Sequence, residues 1–242
     1  MRDVLTDVPP RASEPPPELG TIRAVVLDTV GTTVQLEGAF ETALVEALDE
    51  VGADPGAPDA RARRFSLYTL AGCPTVGMFA LFLGDDDRAR WAHRIFEAAF
   101  VASLVQGNVE PAPGALFAIR ALRCAGIRVC LTTSLDAPLT EHLVEALGWN
   151  GELDAVLPEQ VGLRRRPYPD ELMAAARHLD VDDPSQLAVA GDTVGDLVAG
   201  TRARAGVVAG VLGGAHGLDE LLVAPHTHVL PDVRALPDVL VR

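Results

Sequence analysis

Not one lysine occurs in the 242 residues; all twenty basic side chains are arginine. Chemistry that runs through a lysine amine, an imine with a carbonyl substrate above all, is therefore closed to this chain. Positive charge as a whole is also scarce. Thirty-four acidic residues against twenty arginines give a net charge of −14, which argues against nucleic acid or an anionic membrane surface as partner. It leaves a small phosphorylated ligand open, because local charge can oppose the global sign. Cysteine is limited to Cys73, Cys124 and Cys130, with no CxxC spacing. Cys124 and Cys130 sit in apolar segments, so the cysteines read as reduced core thiols. No apolar run reaches the roughly 18–20 residues needed to cross a bilayer, and the first twenty residues lack a signal-peptide apolar core. The expected location is cytoplasmic.

What is present is a globular composition, 48% apolar, in an order that changes character along the chain. Residues 1–20 hold five prolines and read as a Pro-rich tail. A strand follows at about 22–28. From 37 to 107 every segment reads as helix: "FETALVEALDEVG", "DARARRFSLYTLAG", "TVGMFALFLG" and "DDDRARWAHRIFEAAFVASLV", the last opening with an acidic first turn. Trp91, Phe96 and Phe100 read as the core of this block. After the Gly/Pro segment 106–114, helices alternate with strands "IRVCLTT", "LDAVLP", "LAVAGD", "GVVAGVLG" and "THVLP". Such alternation predicts an α/β fold, a doubly wound, mostly parallel sheet. Residues 21–36 and 108–242 would form this core and 37–107 an inserted helical cap, expected to close over the strand ends as a lid.

Ligands of open parallel sheets bind at the carboxyl ends of the strands. Those ends carry Asp28, then Thr132-Thr133-Ser134, then Asp192 with Asp196 four residues on. Arg166 lies in the loop "LRRRPYPD". Three carboxylates, hydroxyls and a guanidinium on one edge suit phosphoryl transfer. A carboxylate attacks phosphorus, carboxylates hold a hard Mg2+, and hydroxyl and guanidinium donors hold the phosphate oxygens. Taken singly, each has a plainer reading. Asp28 or Thr133 could cap a turn or helix, Arg164 and Arg165 could be solvated loop, and Asp170 favours a helix N-terminus. His226 and His228 form an HxH read as an exposed loop.

The motifs "LDTVGTT", "LTTS", "RRPYPD" and "GDTVGD" occur in the order of the haloacid dehalogenase (HAD) superfamily. The chain resembles its phosphonatase-like branch over nearly everything after residue 20. That resemblance implies Asp28 as nucleophile and metal ligand, with the Val30 carbonyl, Asp192 and Asp196 as further Mg2+ ligands. It implies Thr133 as the phosphate-binding hydroxyl and Arg166 in the basic position. Gly31, Thr32 and Ser134 would border the phosphate. The cap loop Gly72, Cys73, Pro74 and Thr75 would face the substrate.

Two departures limit the mechanism that the resemblance implies. Typical phosphatases of the superfamily carry a second Asp two residues after the nucleophile, worth roughly 10^2–10^4-fold as acid and base; here that position is Val30. Phosphonatases lack it too but form an imine on a cap lysine, whose position here falls on Thr75. A chain without lysine cannot hydrolyse phosphonoacetaldehyde that way. Three readings remain: a Mg2+-dependent phosphohydrolase or phosphonate hydrolase of a small metabolite, a non-hydrolytic phospho-ligand binder, and a dehalogenase. Retention of Asp192 and Asp196 speaks against the last. A homodimer stays open.

Overall fold

The five residues of β1 (Ala24–Asp28) are apolar until the last, and the first four are buried. A strand covered on both faces has to lie inside a sheet. In the computed structural model, which describes residues 21–53 and 75–241, β1 does so. It pairs in parallel with β4 (Arg128–Thr132) on one side and β6 (Leu187–Gly191) on the other. The sheet continues to β5 (Ala155–Leu157) beyond β4, and to β7 (Val207–Val211) and β8 (His228–Leu230) beyond β6. All of these pairings are parallel. The order β5-β4-β1-β6-β7-β8 reverses direction at β1, which makes its carboxyl end the topological switch point.

Helices α4 (Ala115–Cys124), α6 (Asp170–His178), α7 (Val194–Arg202) and α8 (Leu218–Val223) alternate with these strands, and α9 (Leu236–Leu240) ends the chain. The expected α/β class is the one observed. Two short strands absent from the sequence reading, β2 (Val34–Gln35) and β3 (Glu110–Pro111), form a two-stranded sheet of their own. No helix among the described residues is long and apolar enough to cross a membrane.

By contacts the described chain divides into two compact units. Residues 21–35, 111–133 and 150–241 form the first, which holds the sheet. Residues 36–53, 75–110 and 134–149 form the second. It comprises α1 (Glu37–Glu50), α2 (Thr75–Leu83), α3 (Asp86–Val105) and α5 (Ala137–Ala146). The acidic start of α3 works as a cap: Asp85 Oδ1 accepts the N–H groups of Asp87 and Arg88, each at 2.9 Å. Its core is aromatic. Phe96 stacks on Phe100 with ring centroids 5.6 Å apart and meets Phe40 and Phe79 edge-on.

Three expectations need correction. Trp91 is not core: it is 49% exposed, with Arg94 over its ring at 5.0 Å. Nine residues separate it from Phe100, about 900° of helical turn and so the opposite face. Cys124 is exposed at the end of α4, whereas Cys130 is buried in β4. Burial pushes the Cys130 thiol up to about 12. His228 lies in β8 rather than in a loop. The segment "DARARRFSLYTLAG" and residues Gly72, Cys73 and Pro74 lie outside the described residues.

The aromatic cluster predicts a specific cost. Phe96→Ala empties a fully buried site, and chemical denaturation should show a loss of about 3–5 kcal/mol. Trp91→Ala, on the solvent face, should change stability by less than about 1 kcal/mol.

Candidate active site

Asp28 ends β1 in register with Thr132 of β4, and the turn after it is built by its own hydroxyls. Thr29 Oγ1 donates to the Thr132 carbonyl at 2.8 Å. Thr33 Oγ1 donates to the carbonyls of Asp28 at 3.0 Å and Thr29 at 3.1 Å. Between them Gly31 has φ +87°, a conformation open to glycine at little cost. A Cβ on Gly31 would also lie 2.8 Å from Cγ of Asp192. Thr32 Oγ1 donates to Asp192 Oδ1 at 3.1 Å. The turn after β1 thus reaches across to the end of β6.

Asp192 follows β6 and is 2% exposed. Its Oδ2 accepts the Ala215 N–H at 2.7 Å, and its carbonyl accepts the His216 N–H at 3.3 Å. A side chain on Gly214 would overlap this carboxylate. Asp196, in the first turn of α7, is held by a capping box: its Oδ2 accepts from Thr193 N at 3.0 Å and Thr193 Oγ1 at 2.5 Å. His216 Nδ1 accepts the Val194 N–H at 2.9 Å and so closes the same helix end.

Arg166 sits among these groups. Its Nη1 donates to the carboxylates of both Asp28 and Asp196. Nη2 donates to Thr132 Oγ1 at 2.7 Å, and Nε to Glu171 Oε2 at 3.1 Å. The guanidinium lines a small recess with Asp28, Thr132, Asp196 and the apolar side chains Val26 and Leu172. Burial works against its charge, and Asp196, Asp28 and Glu171 outweigh that and hold it protonated. The neighbouring arginines turn elsewhere, Arg164 to Asp170 and Arg165 to Glu159.

Arg166 thus joins Asp28 to Asp196, and the turn that carries Gly31 and Thr32 meets Asp192. Thr133 is buried at the end of β4, its N–H donating to the Leu157 carbonyl at 3.2 Å. Val30 stands in the turn with 40% of its surface exposed. Ser134 belongs to the second unit, and the cap-loop candidates Gly72 and Cys73, with the Thr75 side chain, lie outside what the structure describes. The sequence reading named Thr132 only within the strand-end triplet Thr132-Thr133-Ser134 and missed Glu171, Thr193, Ala215 and His216. Thr193 alone carried a signal, as the first residue of a T-x-x-D capping pattern; Ala215 takes part through its backbone, which no side-chain motif can announce.

The donor set suits a hard divalent cation. Asp28, Asp192 and Asp196 supply carboxylate oxygens only, and one buried guanidinium leaves them with excess negative charge. Burial, reinforced by Asp196 and Asp192, pushes the Asp28 carboxyl up against the pull of Arg166. Burial and then Asp196 push Asp192 up as well, against its bonds from Ala215 and Thr32.

The upward shift of Asp192 has a consequence for stability. Its folded form holds the proton more tightly than its unfolded form. The resulting penalty is absent below the ordinary carboxylate pKa of about 3.9 and grows as pH rises through the higher folded value. Asp192→Asn removes the charge while its oxygen can accept from Ala215 N–H and its amide can donate to Thr32. In chelator at about pH 8 the variant should melt about 2–4 °C above wild type, equivalent to roughly 1 kcal/mol. The gain should shrink toward about pH 4, and equal melting at about pH 8 would show that Asp192 carries no such penalty.

Comparison with known proteins gives concordant matches. The family model of haloacid dehalogenase-like hydrolases matches residues 22–204. Phosphonoacetaldehyde hydrolase of Syntrophobacter fumaroxidans is 30% identical over 77% of this chain and 71% of its own length. Phosphonoacetaldehyde hydrolase of Lactiplantibacillus plantarum is 28% identical over 83% of this chain and 80% of its own. Among solved structures, CbbY from Rhodobacter sphaeroides in complex with phosphate superposes with a TM-score of 0.74 at 24% identity, covering 89% of this chain and 96% of that one.

Proposed function

The chain belongs to the haloacid dehalogenase-like hydrolase family, and we propose that within it the protein is a Mg2+-dependent phosphohydrolase of a small phosphorylated metabolite. The observation that carries this reading is the meeting of the Asp28, Asp196 and Arg166 side chains at the switch point of the sheet. Relatives named for hydrolysis of a phosphonate support a phosphorus-centred substrate.

Asp28 is the nucleophile. Its carboxylate oxygen attacks phosphorus, the bond to the leaving group breaks, and an aspartyl-phosphate results. Water then attacks the phosphorus, releasing phosphate and restoring the carboxylate. Arg166 and the Thr133 hydroxyl face the charge that builds on the phosphate oxygens. Asp28, Asp192, Asp196 and the Val30 carbonyl would hold Mg2+, which when bound neutralises the phosphate and orients it. Arg166 Nη1 donates to Oδ1 of both Asp28 and Asp196, so an ion held by these carboxylates would compete with the guanidinium for those two oxygens or take the others.

Val30 sets the limit of this chemistry. It has no proton to give the leaving group and no base for the attacking water. Such a site favours substrates whose leaving group departs unprotonated. A non-hydrolytic ligand-binding protein is the second reading, and the same valine is the observation that favours it. Asp192 and Asp196, which a dehalogenase does not need, weigh against dehalogenation.

The side chain of Val30 is 40% exposed, so an added carboxylate there stays in reach of water and should cost about 0.5 kcal/mol or less. Val30→Asp should raise turnover of alkyl phosphates by ~10^2-fold while changing p-nitrophenyl phosphate much less. Steady-state rates of both proteins on both substrates, with and without Mg2+, decide the matter. Wild-type turnover of alkyl phosphates at roughly 1–10 s^-1 would mean that another residue supplies the proton. No turnover by either protein, with Mg2+ bound, would favour the ligand-binding reading.

A further inference from the structure

The second unit gathers three metal-ligating side chains of its own. His93 and Glu97 stand four residues apart on one face of α3, and Asp136 immediately precedes α5. His93 Nδ1 lies 3.3 Å from Glu97 Oε2, and His93 Nε2 lies 3.9 Å from Asp136 Oδ2. One ligand atom from each of the three falls within 4.8 Å of the other two. All three side chains are partly buried, so they are neither sealed from an ion nor free to wander.

Asp136 is held in place. Its Oδ1 accepts the Leu139 N–H at 3.0 Å as the cap of α5, which leaves Oδ2 for the side of the imidazole. A hydrogen bond of this kind, to the far oxygen of a ligating carboxylate, orients it toward a metal. His93 is fixed by its place inside α3, and Glu97 follows it by one turn.

We propose that His93, Glu97 and Asp136 form a binding site for a divalent transition-metal ion, with Zn2+ as the ion of best fit. A neutral imidazole and two carboxylates carry two negative charges, matched by one divalent ion. The imidazole nitrogen favours Zn2+ over Mg2+ or Ca2+, which prefer all-oxygen sets. Bonds of about 2.0–2.2 Å place ligand atoms roughly 3–3.5 Å apart; one ring nitrogen would take the ion, so the carboxylate now beside the other nitrogen has to swing toward it from within 4.8 Å. Three protein ligands leave a fourth position for water. The ion would tie the first turn of α5 to the middle of α3. It is a different site from the all-carboxylate set of Asp28, Asp192 and Asp196, and it does not depend on the function proposed for that set.

A protonated imidazole between two carboxylates is the competing account of the same geometry, and metal uptake separates the two. The full-length protein is dialysed against micromolar Zn2+ with Mg2+ in large excess, and bound zinc is measured by elemental analysis. Wild type should hold one more equivalent of Zn2+ than either His93→Ala or Glu97→Gln, and Zn2+ should raise the melting temperature of wild type alone. Co2+ offered to wild type should give the visible d–d absorption of a nitrogen- and oxygen-ligated site, a readout that requires no variant to fold. Equal zinc uptake by all three proteins would place the zinc elsewhere, on Cys124 or on His226 and His228, and would overturn the proposal. So would a wild type that holds no zinc and shows no Co2+ absorption.

Discussion

Everything at the strand edge depends on the balance between one largely buried guanidinium and the carboxylates around it. Arg166 Nη1 serves Asp28 and Asp196 together, and its other nitrogens are taken by Thr132 and Glu171. Three ionised aspartates gathered at one buried edge would repel one another strongly in a medium of low dielectric. The guanidinium offsets part of that repulsion and leaves the remainder unbalanced, which is the electrostatic condition for binding a cation. Arginine suits this place better than lysine would. Its planar fork reaches a hydroxyl and three carboxylates at once, where an ammonium offers a point charge.

The neighbouring backbone is shaped to keep those carboxylates still. Thr29 and Thr33 spend their hydroxyls on main-chain carbonyls, and Thr32 spends its own on Asp192. Gly31 and Gly214 let the chain pass close to Asp192 from two sides, and Gly191 does so for Asp196. The many hydroxyls after β1 therefore act first as architecture. They hold the carboxylates in place in advance, because side chains already committed to hydrogen bonds lose little entropy when a ligand arrives.

The sheet was legible in the sequence because its strands are buried on both faces and read as continuous apolar runs between helical segments. That Arg166 meets Asp28 and Asp196, and that Asp192 lies against the turn after β1, was legible because four motifs occur together near strand ends. Partners such as Ala215 and His216 were not, since they reach Asp192 and α7 from a loop more than twenty residues away with no pattern of their own. Trp91 was misread for a different reason. An apolar residue on a helix was assigned by type, while the angle separating it from Phe96 and Phe100 already placed it on the other face. Cys124 repeats the lesson: the last residue of a helix, two positions from the buried Leu122, faces outward.

The two absences that limit the chemistry act on different steps. Without lysine the chain cannot activate a carbon–phosphorus bond through an imine, so its descent from a branch that includes phosphonatases does not carry the reaction along. Without an acid at position 30, a phosphate ester must supply its own good leaving group. Neither absence touches the groups that the proposed function assigns to a phosphate or a cation: the Asp28 carboxylate, the guanidinium fork and the carboxylates after β6 all take part in hydrogen bonds. On that proposal, recognition and attack would be physically separable from proton transfer. On the function proposed above, a substrate that leaves as a stable anion, an acyl phosphate for example, would escape the missing acid, while the step in which water attacks would still lack a base.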